Sequence, residues 1–92
     1  MILSFRSRAL QRYWEKNDPR GLNPQHVQKL RRILLALDAT RTTEDMNLPA
    51  YRLHRLVGEV PDRWSVHVNA NWRVTFSFDG NDVTSVDYED YH

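Results

Sequence analysis

The sequence predicts an α+β domain in which an N-terminal strand and two helices pack on one face of a mainly antiparallel, twisted sheet. Three observations predict this arrangement. Apolar residues recur every three to four positions between Leu10 and Leu37, and the spacing changes to two after Pro49. The third observation is length: 92 residues is the size of one domain, so residues 1–92 are interpreted as a single unit.

The N-terminal half is predicted to contain the strand and both helices. The segment Ile2–Phe5 is apolar and suited to a strand, and Ser7 follows where a helix N-cap is expected. The segment Asn17–Gly21 contains a Pro and a Gly and ends the first helix. Pro24 after an Asn starts the second helix, which should extend to about Asp38. Its apolar stripe consists of Val27, Leu30, Ile33, Leu34 and Leu37.

The C-terminal half is predicted to be a run of antiparallel strands after a polar loop at residues 39–49. Alternating apolar residues indicate strands over Tyr51–Val57, Trp64–Asn69, Trp72–Phe78 and Val83–Glu89. Turns are expected over Gly58–Arg63, at Ala70-Asn71 and at Asp79-Gly80, the last as a type I′ hairpin.

The alternation in these strands separates an apolar sheet face from a polar one. His54, His67 and Arg73 fall on the polar face, while Trp64 and Trp72 share the spacing of the valines and are interpreted as core residues. A sheet face that carries Arg and His is a plausible platform for RNA. Neither His26 nor His67 has an evident partner, and both are interpreted as surface residues.

Charge is distributed unevenly along the chain. Residues 1–37 carry eight basic side chains against two acidic ones, whereas residues 79–92 carry five acidic side chains and no Lys or Arg. Arg supplies eleven of the thirteen basic residues, and its planar fork suits phosphate. Lys29, Arg31 and Arg32 on the second helix are therefore candidates for binding nucleic acid or an acidic protein, with a solvated helix face as the alternative.

Several classes of protein are excluded by what the sequence lacks. It has no Cys, which excludes a disulfide scaffold, a thiolate metal site and a Cys nucleophile, and fits a reducing compartment. The N-terminus reaches Arg6 after five residues, so we expect neither a signal peptide nor a membrane span, and a cytoplasmic location. The glycines are scattered and the His residues lack metal-ligand spacing, so neither a metal nor a cofactor is expected.

Acid–base chemistry by His, Asp, Glu and Tyr beside Arg remains possible, and RNA cleavage without a metal needs those groups. Histidine suits proton transfer because its unperturbed pKa lies near neutrality. The C-terminal run Tyr88–His92 combines two carboxylates, two phenols and an imidazole, and a frayed polar tail is the alternative interpretation. His54 has the alternative of an ordinary surface residue on a strand.

Three ordered segments of this chain resemble the HigB toxins of the RelE superfamily. They are Tyr51–Gly58, Trp64–Phe76 and Asp87–His92, and the opening Met-Ile-Leu-Ser-Phe is also similar. The resemblance covers essentially the whole chain. It implies the RelE-like microbial RNase fold and a bacterial type II toxin that cuts mRNA in the ribosomal A site without a metal. It also implies inhibition by a HigA-like antitoxin that carries a helix-turn-helix DNA-binding domain.

By position, the resemblance assigns the functional site to five residues: His54, Arg73, Asp90, Tyr91 and His92. We expect His92 to transfer protons, Asp90 to orient it, Tyr91 to stack on or position a base, and Arg73 to contact the scissile phosphate. The ribosome, through its 16S rRNA, and mRNA are the implied partners.

One position departs from the family pattern. Many members carry a Lys just before the Gly of the Leu-x-Gly segment, and Val57 stands there in this chain. Arg55 or Arg73 would then have to supply the missing cation. Two other functions remain open: a ParE-like toxin that poisons DNA gyrase, and a non-catalytic module that binds RNA or the ribosome. The terminal acid–base run favours the nuclease over the ParE-like toxin, and substitution of His92 would distinguish the nuclease from the binding module.

Overall fold

Two α-helices form where the sequence places a cap before a periodic apolar stripe. Helix α1 (Arg8–Lys16) begins after Ser7, whose side-chain oxygen accepts a backbone N–H of the first turn at 3.2 Å. Helix α2 (Val27–Ala39) follows a 3₁₀ turn over Pro24–His26. Both predicted helices are thus confirmed, with the start at Pro24 formed by the 3₁₀ turn.

Four antiparallel strands form one sheet in chain order. They are β1 (His54–Leu56), β2 (Arg63–Asn69), β3 (Trp72–Asp79) and β4 (Asp82–Asp90). The computed structural model describes residues 1–91. Its N-terminal segment adds two isolated parallel bridges to β4, Ile2 to Val83 and Phe5 to Val86. The α+β fold is therefore confirmed, although the predicted N-terminal strand is reduced to these two bridges.

The first strand of the sheet is shorter than the alternation predicted. Pro49–Tyr51 forms a 3₁₀ turn, and Arg52 follows in the left-handed region with a φ of 47°. A left-handed residue interrupts the alternation of an extended chain, so only His54–Leu56 pairs with β2. Val57, predicted to share an apolar face with Tyr51, is 96% exposed after the strand ends.

The hairpin between β3 and β4 is confirmed, but its predicted turn type is wrong. Asp79 pairs with Asp82, so Gly80 and Asn81 form the two-residue connection. Gly80 has a φ of 63°, while Asn81 lacks the positive φ that a type I′ turn requires at both central positions. Glycine at the first central position, which adopts this conformation without a Cβ penalty, is typical of a type II′ turn.

One hydrophobic cluster joins the helices to the apolar face of the sheet. Its sheet side includes Val66 and Val68 of β2 and Val74 and Phe76 of β3, every second residue of each strand. Its helical members are Leu10, Leu30, Ile33, Leu34 and Leu37. Among residues 1–91, no helix is long and apolar enough to cross a membrane.

The prediction that His26 is a surface residue is wrong. Its side chain is 2% exposed, and Nδ1 lies 2.6 Å from the hydroxyl oxygen of Tyr88. Trp72 stacks on Tyr88 with ring centroids 4.4 Å apart and meets His26 edge to face. Burial, with a smaller contribution from Lys29, lowers the pKa of His26. Burial also raises the pKa of Tyr88, so this hydrogen bond joins a protonated hydroxyl to a neutral imidazole.

We expect the burial of His26 to lower the free energy of unfolding in mild acid. Its folded pKa lies below the ordinary 6.5, so the unfolded state binds the proton more tightly. The stabilisation is complete above the unfolded pKa and is lost as the pH falls toward and through the folded pKa. Urea unfolding at pH 7.5 and pH 5.0 should show this loss, with a slope of up to about 1.4 kcal/mol per pH unit. His26→Gln should reduce the slope, and an unchanged slope would contradict this assignment.

Candidate active site

The polar face of the sheet carries an open cleft of about 450 Å³. Helices α1 and α2 pack against the opposite face, so this side is left free of helical cover. The residues that line the cleft are Arg52, His54, Leu56, Ser65, His67, Ala70, Arg73 and Tyr91. The cleft therefore gathers two imidazoles, two guanidinium groups and a phenol from four separate stretches of the chain.

Strand register explains why these side chains meet. His54 of β1 is the partner of Ser65 in β2, and His67 of β2 is the partner of Arg73 in β3. Arg73 in turn pairs with Glu89 of β4. Partners directly opposite in antiparallel strands point to the same face. The predicted placement of His54, His67 and Arg73 on one polar face is therefore confirmed.

The guanidinium of Arg73 is held against the ring of Tyr91. Its Cζ lies 4.2 Å from the ring centroid, a cation–π contact. Its Nε lies 4.0 Å from Oε2 of Glu89. Within residues 1–91 this Nε is buried and has no hydrogen-bond partner. Arg73 thus lies between the ring of Tyr91 and the carboxylate of Glu89, and its side chain remains 23% exposed in the cleft.

A buried arginine lies behind the cleft and was missed by the sequence analysis. Arg63, predicted to lie in a turn, begins β2 and is 3% exposed. Its Nη2 donates to Oγ1 of Thr75 at 2.7 Å and to the carbonyl oxygen of Ser85 at 2.9 Å, and Nη1 donates to Oγ of Ser77 at 3.3 Å. Thr75 then donates to Oε2 of Glu89 at 2.6 Å. This chain of hydrogen bonds connects the buried charge to the carboxylate beside Arg73.

The sequence did contain a signal for this network. Thr75 and Ser77 place hydroxyls on the same face of a strand whose other face carries Val74 and Phe76. Both hydroxyl-bearing side chains are fully or almost fully buried, and buried polar groups need partners. Two hydroxyl side chains that are two residues apart in a strand lie on the same face. Their presence there thus indicated a polar side chain from another strand as their hydrogen-bond partner.

The C-terminal run divides between the two faces of the sheet. Tyr91 lines the cleft, and its backbone N–H donates to the carbonyl oxygen of Asn71 at 3.0 Å. Asp90 pairs with Trp72 at the end of β4 and is exposed, and it is not among the residues that line the cleft. His92, predicted to transfer protons, lies outside the described residues.

His67 and Arg52 are the cleft residues to which the sequence analysis gave no role. His67 is half-buried, and burial lowers its pKa, with smaller contributions from the charges of Lys29 and Arg52. A neutral imidazole offers one donor and one acceptor to a ligand. Arg52 was missed because the alternation placed it inside a regular strand, where the left-handed backbone could not be anticipated.

The other basic candidates lie away from the cleft. Arg31 and Arg32 are exposed on α2, which covers the opposite face of the sheet. Lys29 is half-buried on the same helix. Arg55 forms an ion pair with Asp62, Nη2 to Oδ1 at 2.9 Å, and does not line the cleft. Arg31 and Arg32 therefore lie apart from the residues gathered around Arg73, whereas the charge of Lys29 acts on His67 of the cleft.

The chain is similar to known toxins over its whole length. A family model described as the RelE-like toxin of the type II toxin–antitoxin system HigB matches residues 3–92. The protein named Endoribonuclease HigB from Proteus vulgaris is 38% identical over 92 residues, which cover 100% of both chains. The similarity thus includes every strand and loop that contributes to the cleft and confirms the resemblance indicated by the sequence motifs.

The hydroxyl of Thr75 should be a main determinant of stability behind the cleft. Thr75→Val leaves a donor of Arg63 and the carboxylate of Glu89 without their partner, which should lower the free energy of unfolding by about 1–3 kcal/mol. Thr75→Ser retains the hydroxyl and should recover most of this loss. Thr84→Val is the matched control, because among the described residues Thr84 makes no side-chain hydrogen bond. Urea denaturation measures all three, and equal losses in both valine variants would contradict the assignment.

Proposed function

The chain belongs to the HigB-like family, the RelE-like toxins of type II toxin–antitoxin systems, and we propose on this premise that it is an endoribonuclease. Its substrate in this proposal is mRNA in the ribosomal A site, and residues 1–92 act as one toxin domain. The observation that carries the proposal is the cleft in which Arg73 stacks on Tyr91 beside the imidazole of His54.

The cleft contains the groups that cleavage by the 2′-hydroxyl requires. The 2′-oxygen attacks the adjacent phosphorus, a base accepts its proton, and an acid protonates the departing 5′-oxygen. The products are a 2′,3′-cyclic phosphate and a 5′-hydroxyl. Arg73 contacts the nonbridging oxygens and stabilises the charge that develops on the phosphorane. Tyr91 contacts the guanidinium with one face of its ring and is 49% exposed, so a base can stack on the other face.

Proton transfer is assigned to two imidazoles, those of His92 and His54. His92 is proposed as the main acid–base group with Asp90 as its orienting partner, on the strength of the family resemblance. His54 is exposed in the cleft on the strand that neighbours β2, so it is the second candidate for one of the two transfers. Imidazole serves as acid or base near neutral pH without large changes in its environment.

As a type II toxin, the protein has an antitoxin partner. We propose that this antitoxin is HigA-like, with a helix-turn-helix domain, and that the toxin acts in the cytoplasm where ribosomes and mRNA are present. Arg31, Arg32, Lys29 and Arg55 are proposed to dock on 16S rRNA. Their position away from the cleft suits this role, since contacts to rRNA on the helical side leave the polar face open to mRNA.

Mapping of new mRNA 5′ ends after induced expression tests the proposed function directly. The wild-type protein should produce cuts in register with the reading frame. Arg73→Ala should slow cleavage by roughly 10²–10³-fold, the effect of removing one donor that stabilises a transition state. Deletion of His92 should abolish both the cuts and the growth defect. A growth defect that persists without cuts would indicate a ParE-like toxin or a binding module instead.

The basic surface of α2 should determine ribosome affinity. Reversal of Arg31 and Arg32 together to Glu removes two cations and should weaken binding to ribosomes, most clearly at low salt, because phosphate contacts release counterions. Co-sedimentation with ribosomes across a salt series measures the effect. Antitoxin binding serves as the check on folding. Sedimentation equal to wild type at every salt concentration would show that these side chains are an ordinary solvated surface.

A further inference from the structure

Arg52 occupies a backbone conformation that arginine rarely adopts. It follows the 3₁₀ turn over Pro49–Tyr51 with φ 47° and ψ 53°, in the left-handed region. Glycine or asparagine is the usual residue at such a position, because a Cβ and a long side chain are disfavoured there. Unusual backbone conformations of this kind concentrate at functional sites, where the surrounding structure maintains them. Because glycine would adopt this backbone conformation more easily, the presence of arginine indicates a function for its side chain.

The side chain of Arg52 is directed to the cleft. It contributes to the lining together with His54, His67 and Arg73, and its charge is one of the causes that lower the pKa of His67. Within residues 1–91 its guanidinium forms no ion pair. Arg55, three positions later in the chain, contrasts with it on both points, since it is paired with Asp62 and lies outside the cleft.

The cleft thus contains two guanidinium groups and little negative charge to neutralise them. Among the described residues that line it, none is Asp or Glu; Glu89, the cross-strand partner of Arg73 on the same sheet face, lies 4.0 Å from its Nε. A guanidinium fork matches the geometry of a phosphate group and binds it by charge-assisted hydrogen bonds. Two such forks in one cleft suit a ligand that presents two phosphates, as a single strand of RNA does.

We propose that Arg52 binds a backbone phosphate of the RNA strand next to the phosphate that Arg73 contacts. This inference rests on the proposed function and extends it by naming the residue that holds the strand beyond the scissile bond. Arg52 acts in binding, because its phosphate is not the one at which charge develops. Its contribution should therefore appear in the affinity for RNA more than in the rate of the chemical step.

Single-turnover cleavage of ribosome-bound mRNA, with toxin in excess and varied in concentration, separates affinity from chemistry. Arg52→Gly removes the cation and relieves the backbone strain, so its melting temperature should equal or exceed that of wild type. The toxin concentration for half-maximal rate should rise about tenfold or more, the scale of one charge-assisted hydrogen bond. The maximal rate should fall by less than about threefold, and Arg52→Lys should recover part of the affinity.

Arg41→Gly is the matched control. It makes the same substitution at an exposed loop residue, which lies beside Asp38 and Met1 and not in the cleft. Its half-maximal concentration should equal that of wild type. The slope of log affinity against log salt should decrease by about 0.7 for Arg52→Gly, as for the loss of one phosphate contact to a single strand.

The outcomes distinguish this inference from the function on which it rests. Absence of mRNA cleavage by the wild-type protein would overturn the proposed function and this inference together. Normal cleavage by the wild type with an unchanged half-maximal concentration for Arg52→Gly would overturn the role of Arg52 alone. Equal losses in Arg52→Gly and Arg41→Gly would also overturn it, because the effect would then follow from total charge and not from a contact in the cleft.

Discussion

The alternation of side chains along β2 and β3 is the constraint on which the rest of this structure depends. One face of these strands is apolar and receives both helices, and the other carries Ser65, His67, Arg73 and Thr75. The same short strands therefore build the core and the cleft. A shift of register by one residue would exchange the two faces and destroy both at once. Core packing thereby holds the cleft residues in place.

Arg63 shows how a domain of this size supports a polar site. Burial lowers the pKa of its guanidinium, yet the charge is accommodated by hydroxyl and carbonyl oxygens, with carboxylates farther away. The Thr75 hydroxyl donates to the carboxylate of Glu89, which lies 4.0 Å from Nε of Arg73. The cleft arginine is therefore linked through Glu89 to a buried network, and it also contacts the half-exposed ring of Tyr91.

Strand β4 and the residue that follows it also place side chains on both faces of the sheet. Tyr88 points into the aromatic cluster with His26 and Trp72, whereas Glu89 and Tyr91 lie on the side of the cleft. Residues that are adjacent in sequence therefore have unrelated tasks, one in stability and one in the proposed chemistry. Loss of packing around Tyr88 would displace Tyr91 and with it the ring that supports Arg73.

The helices, the order of the strands and the polar face with His54 and Arg73 could be predicted from the sequence, because caps, turns and periodicity act between near neighbours. Its motifs also indicated the toxin family. Tertiary structure decided the burial of His26, the network of Arg63 and the turn of Arg52 into the cleft. Each of these depends on groups far away in the chain: His26 meets a hydroxyl 62 residues later, and Arg63 meets oxygens 12 to 22 residues later. Local propensity carries no information about such partners, since the energy of a buried polar group is set by what folding brings next to it.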